Sequence, residues 1–202
     1  LKLVCFLLFS LLFLFDYVEK IKSFIIAGTP GAGKTTLLSK VKLKNAKLVN
    51  MGSEMLKYTG LSDRDKLRYL SFDEQKELRE KAIRGLIRKG GNIIIDTHLS
   101  VEQNGRFLPG FSINELKELN TKAFIYIDAS AKEIIARRKK DKSRKRENES
   151  EEEINMHRSL NISFMASAAS ELNIPILIFR NSEGMADEVA GELERSLNEL
   201  IK

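Results

Sequence analysis

The residues best placed to do chemistry are Gly28-Thr29-Pro30-Gly31-Ala32-Gly33-Lys34-Thr35-Thr36. They satisfy G-x-x-x-x-G-K-[ST] and lie between a short apolar run, Ser23–Ala27, and a stretch of helical pattern, the setting that gives this motif its meaning. Glycines let backbone N–H groups turn toward phosphate oxygens, and the helix that follows presents its positive end to the same anion. Gly28, Thr29, Pro30, Gly31, Ala32 and Gly33 then form a nucleotide-phosphate cradle. Lys34 reaches the β- and γ-phosphates as a point charge, Thr35 ligates Mg2+, and Thr36 touches the α-phosphate.

A cradle of this kind needs a carboxylate to orient the metal and cations to neutralise the transferred group. Asp96 follows three isoleucines, Ile93-Ile94-Ile95, and would sit at the carboxyl edge of a sheet, where open α/β sheets bind ligands. It either orients Mg2+ or caps the Thr97-His98 turn; beside a phosphate cradle the metal role is the expectation. His98 reads as structural. From Arg137 to Arg146 eight of ten residues are basic, and five of the next seven, Glu147 to Glu153, are glutamates. The run holds no aromatic residue for base stacking, and the glutamates would repel a polyanion, so no nucleic-acid partner is expected. An arginine-rich segment beside a phosphate cradle can instead screen a moving phosphoryl group and exclude water. Arg158 lies one helix further on and could point to the same place. Asp63-Arg64-Asp65 with Arg68 could bind a second anion through Arg64 or form a local ion pair; spacing leaves both open.

These groups must be held by elements that alternate strand and helix. Apolar strands are expected at Ser23–Ala27, Ala46–Asn50, Asn92–Asp96, Ala123–Asp128 and Ile176–Phe179. Helices are expected from the phosphate loop to about Val41, around Glu54–Thr59, over Asp73–Lys89, Ile113–Leu119, from Ala131 into the basic run, over about Glu152–Leu172, and over Ala186–Leu200. Three isoleucines in succession suit a strand covered on both faces. The pattern predicts a doubly wound α/β domain with a five-stranded parallel sheet of the P-loop NTPase type.

Composition agrees. The chain of 202 residues, 43% hydrophobic and 31% charged, suits one globular domain. One cysteine, Cys5, excludes an intramolecular disulfide framework, and the two histidines, His98 and His157, form no metal motif. A net charge of +6 favours anionic ligands. Leu3 to Phe15 is apolar at twelve of thirteen positions, shorter than the roughly 17–25 residues of a bilayer span. Residues 1–17 read as an extension: an upstream mis-called start, a cleaved segment or a membrane anchor. Residues 18–202 form the catalytic domain, with a cationic cap at about 137–153.

With these residues in view the sequence resembles the archaeal-type adenylate kinases, a branch of the P-loop nucleoside monophosphate kinases. The resemblance runs from about Ser23 to the C-terminus. It rests on Gly28–Thr36, Asn50-Met51-Gly52, Asp63-Arg64-Asp65 with Arg68, Asp96-Thr97-His98, Gly105-Arg106-Phe107-Leu108-Pro109-Gly110, and the spacing Arg137-x₃-Asp141-x₂-Arg144-x-Arg146 followed by Arg158. It implies the reaction ATP + AMP ⇌ 2 ADP with Mg2+, in the cytoplasm, by a homotrimer. It implies that Gly28–Thr36 hold ATP, that Gly52, Arg64, Leu108 and Gly110 line the AMP side, and that Arg137, Arg144, Arg146 and Arg158 act with Lys34 around the transferring group as a short lid. The family's Leu-Pro-Gly-x-Pro becomes Leu108-Pro109-Gly110-Phe111-Ser112, without the second proline. The residues leave two rivals: a kinase for CMP, UMP or a deoxynucleotide, and a non-kinase protein that uses ATP as a switch and binds RNA through the basic run.

Overall fold

The computed structural model describes residues 21–103, 105–140 and 149–202, with only the backbone at position 65. Arg144, Arg146 and residues 1–17 lie outside the described residues. In chain order the elements are β1 (Lys22–Ala27), α1 (Lys34–Leu38), β2 (Lys47–Asn50), α2 (Met51–Leu56), a 3-10 turn (Arg64–Tyr69), α3 (Phe72–Lys89), β3 (Asn92–Asp96), β4 (Ser100–Gln103), β5 (Arg106–Pro109), α4 (Ile113–Glu118), β6 (Thr121–Asp128), α5 (Ala131–Lys140), α6 (Glu151–Leu172), β7 (Ile176–Arg180) and α7 (Ala186–Leu200). The main sheet has the order β2-β3-β1-β6-β7, and its strands are parallel throughout.

The isoleucine run explains the two-sided cover. Successive strand residues face opposite ways. Ile25, Ile93, Ile95 and Phe124 therefore join a core with Met51 and Met55 of α2, Leu78, Ile83 and Leu86 of α3, and Met165 of α6. Phe24, Ile26, Ile94, Ile125 and Ile127 join the other core, with Leu37 of α1, Ile134 of α5 and Val189, Leu193 and Leu197 of α7. Among the described residues no helix is long and apolar enough to cross a membrane.

Three local expectations differ from the structure. The helix expected around Glu54–Thr59 spans Met51–Leu56, because the Asn50 side chain caps it by accepting from the Ser53 N–H. Helix α1 stops at Leu38 instead of running to about Val41. Side chains of α7 take the next backbone groups: the Lys42 N–H donates to Glu194 Oε2 (2.7 Å), the Lys44 N–H to Asn198 Oδ1 (3.1 Å), and Asn198 Nδ2 to the Lys42 carbonyl (3.1 Å). The stretch after Asp96 is not merely a loop. β4 and β5 form an antiparallel hairpin, with Val101 opposite Leu108 and Gln103 opposite Arg106. Four-residue strands with Pro109 at one end carry little strand signal, so the sequence pattern did not reveal them.

The hairpin is fastened at both ends. Gln103 Nε2 donates to the Leu70 carbonyl (2.9 Å), tying it to the segment that carries Arg64. Ser100 Oγ donates to Asn161 Oδ1 of α6 (2.8 Å) and lies 3.0 Å from His157 Nε2, while Phe107 packs on the His157 ring. Below it, Ser112 replaces the proline. Its hydroxyl accepts from the Glu115 N–H (3.2 Å), and its own N–H, which a proline would lack, donates to Glu115 Oε2 (2.6 Å). The departure from the family pattern thus supplies a capping box for α4. Glu115 Oε1 also accepts from Arg79 Nε of α3 (2.8 Å), and both residues are buried.

Breaking one half of a buried pair leaves an uncompensated charge. Arg79→Leu is expected to destabilise the protein by about 3–5 kcal/mol in urea unfolding, and adding Glu115→Gln to recover much of that loss. Burial pushes the His157 imidazole below its ordinary value, aided by Arg138 and opposed by Glu149 and Glu102. The unfolded chain then takes up a proton that the folded one resists, so stability falls as pH drops below about 6.5. His157→Gln is expected to flatten that slope, read from urea midpoints at about pH 7.5 and about pH 5.5.

Candidate active site

Parallel register brings the carboxyl ends of the strands side by side. Ile26 of β1 pairs with Asp96 of β3, Asn50 of β2 with the same Asp96, and Ala27 of β1 with Tyr126 of β6. The phosphate loop leaves β1 between them. Gly31 and Gly33 have φ of +98° and +93°. At Gly33 a Cβ would also run into Asn181 Nδ2, so glycine is required there by conformation and by space. Lys34, Thr35 and Thr36 follow as the first turn of α1, with both threonines exposed.

Two of the loop's carbonyls are held from outside it. The Pro30 carbonyl accepts from Arg138 Nε (2.9 Å) and Nη2 (2.7 Å). The Ala32 carbonyl accepts from Arg137 Nη1 (3.1 Å) and Asn181 Nδ2 (2.8 Å). Arg137 Nη2 also donates to the Asn181 carbonyl (2.8 Å). Thr29, only 2% exposed, lies 2.9 Å from the Tyr126 hydroxyl through its Oγ1. Burial pushes the Tyr126 phenol up, so it stays protonated. Helix α5, which carries both arginines, starts at a reciprocal cap between Ser130 and Glu133. Hydrogen bonds from Ser130 hold the Glu133 carboxyl down at about 2.

Lys34 Nζ forms an ion pair with Asp96 Oδ1. Asp96 Oδ2 accepts from Asn50 Nδ2 (2.8 Å), whereas Oδ1 is buried with no hydrogen bond beyond that ammonium. A carboxylate oxygen held this way and the Thr35 hydroxyl are hard oxygen donors, which suits Mg2+ completed by phosphate oxygens. Among the described residues no cluster of three or more His, Cys, Asp or Glu competes for a metal.

Arg158 projects from α6 to the end of β6. Its Nε and Nη2 donate to the two oxygens of Asp128 (2.9 and 2.7 Å), and Nη1 donates to Asn155 Oδ1 (2.9 Å). The Asp128 carboxylate raises the guanidinium pKa further, so the charge is permanent. On the other side of Asp96, Arg64 Nη1 donates to Asn50 Oδ1 (3.3 Å). A Cβ on Gly52 would lie 2.9 Å from Arg64 Cδ, so the missing side chain makes room for that arginine. Leu108 lies in β5, and the Gly110 N–H closes the hairpin base on the Leu99 carbonyl (2.7 Å).

The structure thus gathers Gly28–Thr36, Asp96, Arg137 and Arg158 at one sheet edge, with Gly52 and Arg64 adjoining. Four residues with roles here escaped the sequence reading: Arg138, Asn181, Asp128 and Asn50 as a side chain that binds. Asp128 and Asn181 had a signal, since each is a polar residue at the carboxyl end of an apolar strand.

Comparison with known proteins agrees with this geometry. A family model described as an AAA domain matches residues 27–155. The adenylate kinase of Pyrobaculum aerophilum is 38% identical over 77% of this chain and 84% of its own length. That of Thermoplasma acidophilum is 36% identical over 84% and 94%, and that of Methanothermobacter thermautotrophicus 32% identical over 87% and 99%. Among solved structures, a shikimate kinase from Bacteroides thetaiotaomicron superposes with a TM-score of 0.53 at 14% identity, covering 89% of this chain and 99% of that one. One from Acinetobacter baumannii gives 0.51 at 15%, covering 93% and 99%, a likeness of fold alone. A phosphate loop, a carboxylate one strand away and a second arginine site, carried at this identity over this length, place the chain in the archaeal adenylate kinase family of P-loop nucleoside monophosphate kinases.

Proposed function

We propose that the protein catalyses reversible, Mg2+-dependent transfer of a phosphoryl group from ATP to AMP, giving two ADP. The observation that carries this reading is the pairing of sites: a phosphate cradle ending in Lys34, and Arg64 seated over Gly52 on the far side of Asp96. An ATPase or a switch needs only the first.

AMP's phosphate is already largely deprotonated at neutral pH, so the acceptor needs no general base. The residues have to align two polyanions and neutralise their repulsion. The cradle Gly28–Thr36 holds the ATP phosphates. Lys34 exchanges Asp96 for the β- and γ-phosphates. Arg64 takes the AMP phosphate, and the hairpin with Leu108 and Gly110 covers the AMP side. Arg137 and Arg158, with Arg144 and Arg146 from the cap at about 137–153, surround the group in flight. Thr35 and Asp96 would hold Mg2+, and the metal would supply charge neutralisation for the transfer. The same reading makes residues 18–202 the kinase domain of a cytoplasmic homotrimer, whose oligomeric state light scattering measures.

A coupled assay should detect ADP only when ATP, AMP and Mg2+ are all present. In a panel of acceptors with ATP as donor, AMP is expected to lead; a lead by CMP, UMP or a deoxynucleotide would reassign the substrate, and ATP turnover without any monophosphate would refute kinase function. Lys34→Ala is expected to lower kcat by at least about 10²–10³, the usual loss for one preorganised charge donor, while thermal unfolding shows the variant folded.

A further inference from the structure

Asn50 ends β2, and its side-chain amide touches a group on each side of the site. Nδ2 donates to Asp96 Oδ2 at 2.8 Å. Oδ1 accepts from Arg64 Nη1 at 3.3 Å, from the Ser53 N–H at 3.0 Å and from Ser53 Oγ at 3.2 Å. The orientation of the amide is fixed by its partners. A carboxylate only accepts, and a guanidinium and a peptide N–H only donate, so turning the group round would break the contacts at both ends. Parallel pairing sets Asn50 directly beside Asp96, and helix α2 starts at the next residue. The main chain therefore holds the amide at a fixed place between the two.

We propose that Asn50 is a positioning residue for phosphoryl transfer, setting the spacing between Asp96 on the donor side and Arg64 on the acceptor side. The inference rests on the kinase reading given above. In-line transfer between two polyanions depends on their separation, and a misplacement of about 1 Å can cost about 10² in rate. A single planar amide that donates to one side and accepts from the other makes the two half-sites one unit. It also gives the side chain a role beyond capping α2.

Asn, Asp and Ser serve comparably as N-caps, so a capping role alone predicts that Asn50→Asp and Asn50→Ser behave as wild type. Asn50→Asp keeps an acceptor for Arg64 but turns a carboxylate toward Asp96. It is expected to lower kcat by about 10², with KM for AMP within about twofold of wild type. Asn50→Ser is too short to reach either partner. It is expected to lower kcat similarly and to raise KM for AMP about tenfold, as for a lost hydrogen bond that orients a charged group. Calorimetric titration of AMP into protein without Mg2+ or ATP should show the same split: about tenfold weaker binding for Asn50→Ser, little change for Asn50→Asp. Unfolding midpoints near wild type for both variants show that the cap is intact; if one variant fails to fold, the other still decides. Wild-type kcat, KM and AMP affinity in the folded variants would overturn the positioning role. A wild-type protein that makes no ADP from ATP and AMP would overturn the functional reading, and this inference with it.

Discussion

A cradle built from main chain turns its N–H groups toward an anion, and its carbonyls must then find partners on the other side. That constraint organises much of this molecule. The Pro30 carbonyl is met by Arg138, and the Ala32 carbonyl by Arg137 and Asn181. The shape of the phosphate loop and the position of α5 are one structure. The Ser130–Glu133 cap fixes where α5 begins, and the end of β7 brings Asn181 against Gly33. Arg137 and Arg138 therefore grow out of a helix already bonded to the loop itself.

The parallel sheet supplies the rest of the geometry. Because β2, β3, β1 and β6 run in one direction, Asn50, Asp96, the phosphate loop and Asp128 emerge at one edge without any long excursion of chain. The order β2-β3-β1 places Asp96 between the phosphate loop and the segment that carries Asn50 and Gly52. The hairpin β4–β5 follows Asp96 and is held by Gln103 to Leu70 and by Ser100 to Asn161.

This division explains what could be read in advance. The five strands, the phosphate loop and Asp96 are legible because they rest on local signals: apolar runs, a glycine-lysine spacing and a carboxylate at a strand end. Arg138 is not, because eight basic residues in a run of ten look alike until one of them is buried under a carbonyl. Asn50 and Asn181 act through contacts with residues 46 and 149 positions away, which no window along the chain contains. The hairpin is short and ends in proline, so its pairing is decided by its fastenings to α6 and to Leu70. Ser112 shows the reverse case. The missing proline looks like a defect in the family's loop, and the capping box it permits is visible once Glu115 is known to lie in the first turn of α4.

The charges follow a single logic. Lys34 has Asp96, Arg158 has Asp128 and Arg138 has Glu149, so partly dry cations are matched within the protein. Unmatched, each would carry a desolvation cost of several kcal/mol. Matching does not exhaust them. A guanidinium has five N–H donors, and Arg158 uses three on Asp128 and Asn155. The two-pronged grip of Asp128 fixes the plane of the group, so its remaining donors already point in set directions before any phosphate arrives. A lysine in that place would present a mobile point charge and lose more freedom on each encounter. Arginine at α6 and lysine at the start of α1 therefore differ in kind: Arg158 is held in one plane by Asp128, while Lys34 reaches Asp96 on a flexible stem.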